Sequence, residues 1–339
     1  MFKDKTIGII GYNSKRYNTF YRDILNKLNC TCLLWNRTDI NYDSLANEKI
    51  IKNVSDLEKN QNVDLIMCFI KDTSNFDFLS KFKFKSLVLI ETPVTDTRWI
   101  NFDKFKVGVL EQWINYPLEL FKEKIYDSKI LNKPYQLFND GRTFDYHAIA
   151  QLRKFTNYSL PVFCTGIVQN VKQAKFTDNN LNVIDNVDDW TYGMAQLQNG
   201  SVIIYNFTYN CKKSILKPYQ MIRHISNNGS ITTGRASKMG NDYEVCRITY
   251  IKNDKVFESK IKRVKLGDVT KKILCEDLDI IWKNKFSHLS FDDAQTAAAY
   301  LIDNSLNNNY YIAKDAYIDI LTTSAMKQSA HNQQIIRFN

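Results

Sequence analysis

The chain has 339 residues, of which 44% are hydrophobic and 13% aromatic, enough to bury the cores of two globular domains and to exclude a disordered protein. Its longest apolar runs, such as LVLI, are far too short to cross a bilayer, and no secretion signal follows MFKDK, so we expect no membrane partner. The formal charge of +10 comes from dispersed lysines and arginines, a pattern that predicts no nucleic-acid partner.

The seven cysteines are scattered along the chain, and their odd number does not predict a disulfide framework. Cys30 and Cys32 lie in an apolar, strand-like run in which residues i and i+2 share a face. We interpret them as buried free thiols rather than as a metal or redox pair, and we expect a cytoplasmic location.

The N-terminal part of the chain alternates short apolar strands with amphipathic segments. The pattern predicts strands at TIGIIG, CTCLLW, VDLIMCFI and SLVLIE, and a helix at FYRDILNKL, where apolar residues recur at helical spacing. Strands joined by crossovers of this length form a parallel, doubly wound α/β sheet. Because ligands bind at the carboxyl ends of strands in such sheets, the residues that follow each strand form the candidate site.

The pattern changes after Pro117. The segments LELFKEKIYDS and FDYHAIAQLRKF predict helices, and residues 189–265 predict antiparallel strands joined by Asn-Gly and Asn-Asp turns. DDAQTAAAYLIDNSL and AYIDILTTSAMKQSA predict two closing helices. We therefore predict a first domain at residues 1–118 and a second at residues 119–339.

The order of these segments resembles the glucose–fructose oxidoreductase and inositol dehydrogenase family of nicotinamide-dependent enzymes over nearly the whole chain. The matching stretches are IGIIG, DLIMCFI, SLVLIETP, EQWINYPLELFKEKIYDSKI, DYHAIAQLRKF, WTYGMAQLQNGSV, DDAQTAAAYLI and YIDILTTSA. The resemblance implies an N-terminal Rossmann domain with a doubly wound parallel sheet, followed by an α+β domain with an open, mostly antiparallel sheet. It also implies a nicotinamide cofactor and a small-molecule substrate.

The glycine loop of the dinucleotide-binding fingerprint is altered. Gly11 keeps the tight turn, but Asn13 and Arg16 stand where the fingerprint has glycines. Asn13 is tolerable because asparagine reaches left-handed backbone angles. If Arg16 points outward with Ser14 and Lys15, the three side chains can contact phosphate beside the helix N-terminus. The alternative is a strand–helix turn that binds nothing.

The second strand ends in Asn36, Arg37 and Thr38, where NAD-binding relatives usually have a carboxylate. An arginine beside a hydroxyl suits a 2′-phosphate, so these residues predict NADP as the cofactor, with NAD as the other candidate. The alternative for Arg37 is a solvated loop residue. Trp113, in the segment that crosses between the domains, is also a predicted cofactor contact.

The resemblance further implies a Glu-Lys-Pro motif on the cofactor side, which appears here as Glu91-Thr92-Pro93, so the usual lysine is lost. The usual Thr-Pro after the DLIMCF strand is replaced by Ile70-Lys71, and the histidine that often follows is Asn75. We predict that Glu91 and Pro93 remain cofactor contacts. Thr92 keeps a hydroxyl at the active-site position but carries no positive charge.

Hydride transfer needs a group that moves the accompanying proton. His147 is the best remaining candidate, because it lies in the stretch that resembles the family helix with an active-site histidine. Its neighbours Tyr146 and Asp145 are further candidates for proton transfer. The alternatives are a packed helix histidine and, for Asp145, a helix cap. We expect Lys122, in the helix after Pro117, to lie on the surface.

These residues predict an NADP-dependent oxidoreductase that acts on a sugar, a nucleotide-sugar or a comparable polar metabolite. The alternative is a non-catalytic relative that serves as a binding or scaffold subunit, since several motif positions are substituted. We also expect a homo-oligomer formed through the C-terminal sheet; the alternative is that the closing helices cover this sheet fully. Its exposed face is predicted to include Trp190, Tyr192, Ile203, Tyr205 and Phe207.

Overall fold

The structure is a computed structural model that describes residues 2–38, 42–60, 62–141, 143, 145–172, 176–177, 183–184, 187–207, 221–239, 243–251, 256–264 and 280–338. Two compact units divide the chain: Met1–Pro117 with Lys285–Ile320, and Leu118–Asn284 with Leu321–Asn339. Within the described residues, no helix has both the length and the hydropathy needed to span a membrane.

The α-helices of the described residues include those predicted from the sequence and two short helices before Pro117 that were not predicted. They are α1 (Arg22–Lys27), α2 (Ser55–Lys59), α3 (Asp72–Leu79), α4 (Pro117–Asp127), α5 (Asp145–Lys154), α6 (Asp293–Leu306) and α7 (Ala313–Asn332). A π-helical turn, Tyr17–Tyr21, precedes α1, and short 3₁₀ turns lie at Thr97–Asn101, Gln112–Asn115 and Ser287–Leu289. The predicted helices after Pro117 are thus confirmed.

The first unit is built on a six-stranded parallel sheet. Its strands are β1 (Thr6–Ile10), β2 (Thr31–Trp35), β3 (Glu48–Ile50), β4 (Leu65–Cys68), β5 (Leu87–Ile90) and β6 (Val107–Val109), in the spatial order β3-β2-β1-β4-β5-β6. Every residue of β4 and β5 is buried, as expected for strands that are covered on both faces. The chain runs outward from β1 to β3 and then returns to place β4 on the other side of β1. This reversal of strand order is the topological switch point at which ligands bind in doubly wound sheets.

Residues 285–320 group with the first unit, whereas the sequence-based boundary assigns them to the second domain. The reason lies in the packing of α6. Its residues Ala298, Ala299 and Ile302 are buried in the same hydrophobic cluster as Ile7 and Ile9 of β1. Small alanine side chains let this helix approach closely, so the first unit completes its core with a late segment of the chain.

The strands of the second unit follow one another along the chain as β7 (Gln136–Asp140), β8 (Pro161–Lys172), β9 (Phe176–Thr177), β10 (Val183–Ile184), β11 (Val187–Leu197), β12 (Val202–Phe207), β13 (Met221–Ser226), β14 (Gly229–Ile231), β15 (Arg235–Met239), β16 (Tyr243–Ile251), β17 (Val256–Val264), β18 (Ile280–Lys283) and β19 (Ile336–Arg337). The short strands β9 and β10 form a two-stranded sheet of their own.

The other eleven strands form one large sheet in the order β18-β17-β16-β15-β14-β13-β7-β12-β11-β8-β19. Neighbouring strands in this sheet are antiparallel, except for β7 and β12, which are parallel. The prediction of a mostly antiparallel sheet is thus confirmed, although residues 208–220, 240–242, 252–255 and 265 of the predicted strand region lie outside the described residues.

One face of the large sheet is covered. Ile203, Tyr205 and Phe207 are at most 4% exposed and share a hydrophobic cluster with Ile149 of α5 and Met326 of α7. The prediction that these three β12 residues belong to the exposed face is therefore wrong. Strand alternation explains the error, because a residue's neighbours along the strand point to the opposite face of the sheet.

The opposite face, which we call the open face, carries other apolar residues. Tyr192 pairs with Ile167 of β8, and these side chains are 40% and 69% exposed. Met194 and Ile204, a pair on β11 and β12, are half-buried on the same face. The open face therefore retains Trp190 and Tyr192 from the predicted set and adds the alternate residues of β12.

A buried polar cluster lies on the covered side of the large sheet. Lys122 of α4 is fully buried and donates to the Glu119 carboxylate at 3.1 Å, so the prediction of a surface lysine is wrong. His224 of β13 is also fully buried and shares a 3.1 Å hydrogen bond with the Tyr126 hydroxyl. Burial lowers the pKa of His224 well below its ordinary value, and the nearby Lys122 charge lowers it further. The imidazole is therefore neutral in the folded protein at neutral pH.

Acidification should destabilise the protein through His224. The unfolded chain protonates this residue near the ordinary pKa of 6.5, whereas the folded ring stays neutral to a much lower pH. The unfolded state then binds the extra proton, so the free energy of unfolding should fall by up to about 1.4 kcal/mol for each pH unit below 6.5. Urea titrations at about pH 7.5 and about pH 5.5 measure this loss.

A matched pair of variants isolates the contribution of His224. His224→Gln keeps a polar group beside the Tyr126 hydroxyl but does not titrate, so it should reduce the pH dependence of unfolding. His288 is exposed, and His288→Gln should leave that dependence unchanged. A pH dependence that is the same in His224→Gln and in the unaltered protein would contradict the assignment.

Candidate functional site

The turn after β1 keeps the backbone geometry that a dinucleotide loop needs at its first glycine. Gly11 has a φ of 83°, and its N–H donates to the Trp35 carbonyl at 2.8 Å. Ser14 N–H donates back to the Gly11 carbonyl at 2.9 Å. A side chain at position 11 would force the left-handed conformation on an L-residue, so glycine is required here. The backbone of Asn13 is outside the left-handed region, so this substitution places no strain on the turn.

The helix after this turn is irregular. Lys15 and Arg16 are helical, and the next five residues form the π-helical turn Tyr17–Tyr21. Tyr17 and Tyr21 are fully buried, and their ring centroids lie 5.5 and 5.3 Å from that of Phe69. A π-helical turn is wider than an α-helical one, and here it accommodates the two tyrosine rings. In the dinucleotide-binding fingerprint, glycines instead let the helix pack closely on the strand.

Arg16 contacts protein groups at the ends of two other strands. Its guanidinium donates to Glu91 Oε2 at 2.6 Å, to Gln112 Oε1 at 2.7 Å and to the Leu110 carbonyl at 3.2 Å. The expected outward orientation toward phosphate is therefore not the one observed. The inward orientation has a physical reason, because the guanidinium finds a carboxylate, an amide oxygen and a carbonyl at the edge of the sheet.

The Arg16–Glu91 pair changes the electrostatics of this edge. Burial raises the pKa of the Glu91 carboxyl, although the Arg16 charge and hydrogen bond partly oppose the shift. Burial by itself lowers the pKa of Arg16, but Tyr21, Glu91 and Glu111 together raise it above its ordinary value. The guanidinium thus stays charged and neutralises the carboxylate.

A cleft of about 280 Å³ opens beside β2, and we call it the β2 cleft. The amide of Asn36 donates to the carbonyl and the hydroxyl of Thr38, which fixes the loop. Arg37 is exposed, and no hydrogen bond or ion pair engages its guanidinium within the part of the chain that the structure describes. The lining combines the ends of β1, β2 and β4: Gly11, Asn13, Trp35, Asn36, Arg37, Thr38, Ile70 and Ser74.

A second cleft of about 470 Å³, the β5 cleft, lies at the same carboxyl edge of the sheet. It brings together the ends of β1, β4 and β5: Ser14, Arg16, Phe69, Lys71, Glu91, Thr92, Pro93 and Thr95. The Thr92–Pro93 peptide bond is cis. Glu91 Oε1 is buried without a hydrogen-bond partner among the described residues, while Oε2 is held by Arg16. The cleft thus offers hydroxyls, a neutralised carboxylate and the Lys71 side chain.

The two clefts account for most of the predicted cofactor residues, but not for all of them. Lys15 is exposed on the first helical turn and lines neither cleft. Trp113 stacks on Tyr116 with ring centroids 4.8 Å apart and is also absent from both linings. Lys71 lines the β5 cleft; it belongs to the strand ends at which ligands are expected, but it is not among the predicted cofactor contacts.

The predicted proton-transfer residues other than Thr92 lie in the second unit, on α5. His147 is 7% exposed, and its ring centroid lies 4.2 Å from that of Tyr146. Asp145 begins the helix with a φ of 47°, donates its N–H to the Tyr205 hydroxyl oxygen at 2.8 Å, and binds Lys327 Nζ at 2.6 Å through its carboxylate. Asp145 is therefore an ion-paired residue at the start of α5.

Cys30 and Cys32 are buried free thiols, as predicted. Burial raises the pKa of the Cys30 thiol to about 12, which disfavours the reactive thiolate. No group of three or more His, Cys, Asp or Glu residues that could hold a metal ion occurs among the residues described.

Neither a protein-family model nor a curated protein sequence matches the chain. Solved structures do match, over nearly its whole length. The transcriptional regulator Gal80p from Kluyveromyces lactis has a TM-score of 0.63 at 10% identity, with 99% of this chain and 95% of that chain covered. An oxidoreductase from Agrobacterium radiobacter, in complex with NAD⁺, L-tartaric acid and magnesium, has a TM-score of 0.56 at 12% identity, with 98% of each chain covered. An oxidoreductase from Thermotoga maritima has the same TM-score, identity and coverage.

The chain shares the fold of these proteins. The fold expected from the resemblance to the glucose–fructose oxidoreductase and inositol dehydrogenase family, a Rossmann sheet combined with a large, mostly antiparallel sheet, is thereby confirmed.

Proposed function

We propose that the protein is an NADP-dependent oxidoreductase that transfers hydride to or from a hydroxyl or carbonyl carbon of a sugar, a nucleotide-sugar or a comparable polar metabolite. The observation that carries this proposal is the pair of clefts at the carboxyl edge of the parallel sheet, beside its switch point. Oxidoreductases with the same fold support it, one of them in complex with NAD⁺.

The residues of the first unit fit a dinucleotide. Gly11 provides the left-handed turn, and Ser14 faces the β5 cleft beside the first helical turn. Asn36, Arg37 and Thr38 would hold the adenosine side in the β2 cleft, and Glu91 and Pro93 would border the nicotinamide side in the β5 cleft. When bound, the cofactor supplies or accepts the hydride.

The preference for NADP over NAD rests on Arg37. A guanidinium can bind a 2′-phosphate with two parallel hydrogen bonds, whereas a carboxylate at this position would repel it. Arg37 is exposed in the β2 cleft, and its neighbour Thr38 offers a hydroxyl there. The charge of Arg37 is therefore available to a ligand.

A non-catalytic binding or scaffold role is the second candidate. Its support is the fold likeness to the transcriptional regulator Gal80p, together with the threonine at position 92. A scaffold could bind the dinucleotide and still perform no hydride transfer. Cofactor titration and turnover must therefore be measured separately, and cofactor binding without turnover would favour this candidate.

We also propose that two copies of the chain associate through the open face. Ile167, Tyr192, Met194 and Ile204 form an apolar surface there that a second copy would cover. An interface of identical copies related by a twofold axis uses the same patch on both chains.

Replacing Arg37 should reverse cofactor preference. NADPH should bind more tightly than NADH to the unaltered protein, and Arg37→Asp should invert this order, because it removes a charge-assisted hydrogen bond worth about 1.5–3 kcal/mol, or roughly tenfold to a hundredfold in affinity. Fluorescence titration of both cofactors measures the two dissociation constants. Arg337→Asp, at another exposed arginine, is the control and should change neither constant. Equal affinities for both cofactors in the unaltered protein would count against the NADP assignment.

Removing the His147 imidazole should impair proton transfer. His147→Ala should lower turnover by about 10²–10⁴, the usual contribution of a general acid or base, and should leave NADPH affinity nearly unchanged. Reduction of NADP⁺ and oxidation of NADPH with a panel of sugars and polyols provide the assay. His288→Ala is the matched control at an exposed position. Turnover that survives in His147→Ala would remove the catalytic assignment.

A charge on the open face should prevent self-association. The unaltered protein should sediment with twice the chain mass at micromolar concentration, and Ile204→Asp should sediment as a single chain, because burying an unpaired carboxylate is costly. Asn199→Asp, in the β11–β12 turn, should retain the mass of the unaltered protein. A single-chain mass for the unaltered protein would refute the dimer.

A further inference from the structure

Lys71 and Thr92 follow the ends of two adjacent strands. Cys68, the last residue of β4, pairs with Ile90, the last residue of β5. The two strands are parallel, so the residues that follow them lie at the same edge of the sheet. Lys71 and Thr92 both line the β5 cleft. The Lys71 side chain, which follows β4, is therefore a group of the same cleft as position 92.

The ammonium group of Lys71 is available to a ligand. The residue is exposed, and its Nζ makes no hydrogen bond or ion pair with any residue described in the structure. The other cation of the cleft, Arg16, is held by Glu91, Gln112 and the Leu110 carbonyl. Because Arg16 already neutralises Glu91, that carboxylate does not need Lys71 as its counter-ion.

The two cations of the cleft differ in their chemistry. A guanidinium does not release its proton in proteins. An ammonium on a flexible stem can both donate a hydrogen bond and give up a proton. The hydroxyls of Ser14, Thr92 and Thr95 carry no charge, and the Glu91 carboxyl, whose pKa is raised by burial, is already bound to Arg16. Among the described residues that line the cleft, Lys71 is therefore the cation that can transfer a proton.

We propose that Lys71 is a catalytic residue that supplies the amine absent from position 92. The inference rests on the proposed function, and it adds a second proton carrier to His147, so that the loss of either side chain should lower turnover. In the reducing direction the carbonyl carbon of the substrate gains the hydride of the reduced nicotinamide, and the carbonyl oxygen gains a proton from the Lys71 ammonium. The exposed amine then regains a proton from solvent. In the oxidising direction the neutral amine would accept the hydroxyl proton while the hydride of the same carbon passes to the oxidised nicotinamide.

Chemical labelling of lysines tests the location of this amine without any turnover. The protein is treated with trace acetic anhydride, alone, with NADPH, or with 2′,5′-ADP, and the labelling rate of each lysine is measured by mass spectrometry. The fragment 2′,5′-ADP carries the adenosine half of the cofactor and lacks the nicotinamide half. At ten times the dissociation constant NADPH fills about 90% of sites, so Lys71 should be labelled up to about tenfold more slowly.

The fragment should leave Lys71 unprotected, and neither ligand should protect Lys52, an exposed lysine of the same unit. Unchanged Lys71 labelling while fluorescence shows NADPH bound would overturn the Lys71 proposal and leave the proposed function intact. Equal protection by 2′,5′-ADP would also overturn it, because Lys71 would then serve the adenosine side. Absence of NADPH binding would overturn the proposed function, and this inference with it.

Relocating the amine tests the catalytic role. With the panel of sugars and polyols, Lys71→Met should lower turnover by about 10² or more, with little change in NADPH affinity. Lys71→Arg should not retain turnover, because it keeps the charge but does not release a proton. The double variant Lys71→Met/Thr92→Lys should recover part of the activity, since it returns an amine to the same cleft. Lys52→Met is the control for the loss of a surface charge. Undiminished turnover in Lys71→Met would overturn the proposal.

Discussion

The ion pair between Arg16 and Glu91 sets the chemistry of the carboxyl edge of the parallel sheet. It joins the first helical turn after β1 to the end of β5, and the same guanidinium reaches the segment after β6. Both side chains are largely buried, at 29% and 12% exposure, so removing either partner would leave a poorly solvated charge. The pair holds three strand ends together, and it engages the arginine of the altered glycine loop with groups of the protein itself.

The consequences of this pair extend through both clefts. Because Arg16 is engaged, the cations that line the clefts without a protein partner among the described residues are Arg37 in the β2 cleft and Lys71 in the β5 cleft. The arginine of the turn after β1 thus binds a carboxylate of its own chain, and the cations without such a partner lie at neighbouring strand ends.

Much of the fold could be predicted from the sequence, because in many segments the spacing of the apolar residues matches the pattern of buried residues. The continuous apolar runs at β4 and β5 indicate strands covered on both faces, and the apolar residues of α5 and α6 recur at helical spacing. The site was harder to predict. The direction of the Arg16 side chain depends on Glu91 and Gln112, which are distant in sequence, and the burial of Lys122 depends on the sheet that α4 packs against. The faces of β12 were misassigned because its apolar residues lie on both sides.

The packing of α6 into the first unit has a consequence for synthesis on the ribosome. The hydrophobic cluster that surrounds β1 includes Ala298, Ala299 and Ile302, which are translated long after the residues of β1, β2, β4 and β5 in the same cluster. Until that helix emerges, one side of the nascent sheet lacks part of its apolar cover and is a surface for chaperones to bind. A fragment that ended at Pro117 would keep every strand of the parallel sheet and still expose part of its core. The first unit therefore begins early in the sequence, and its core is complete only when the late segment has been synthesised.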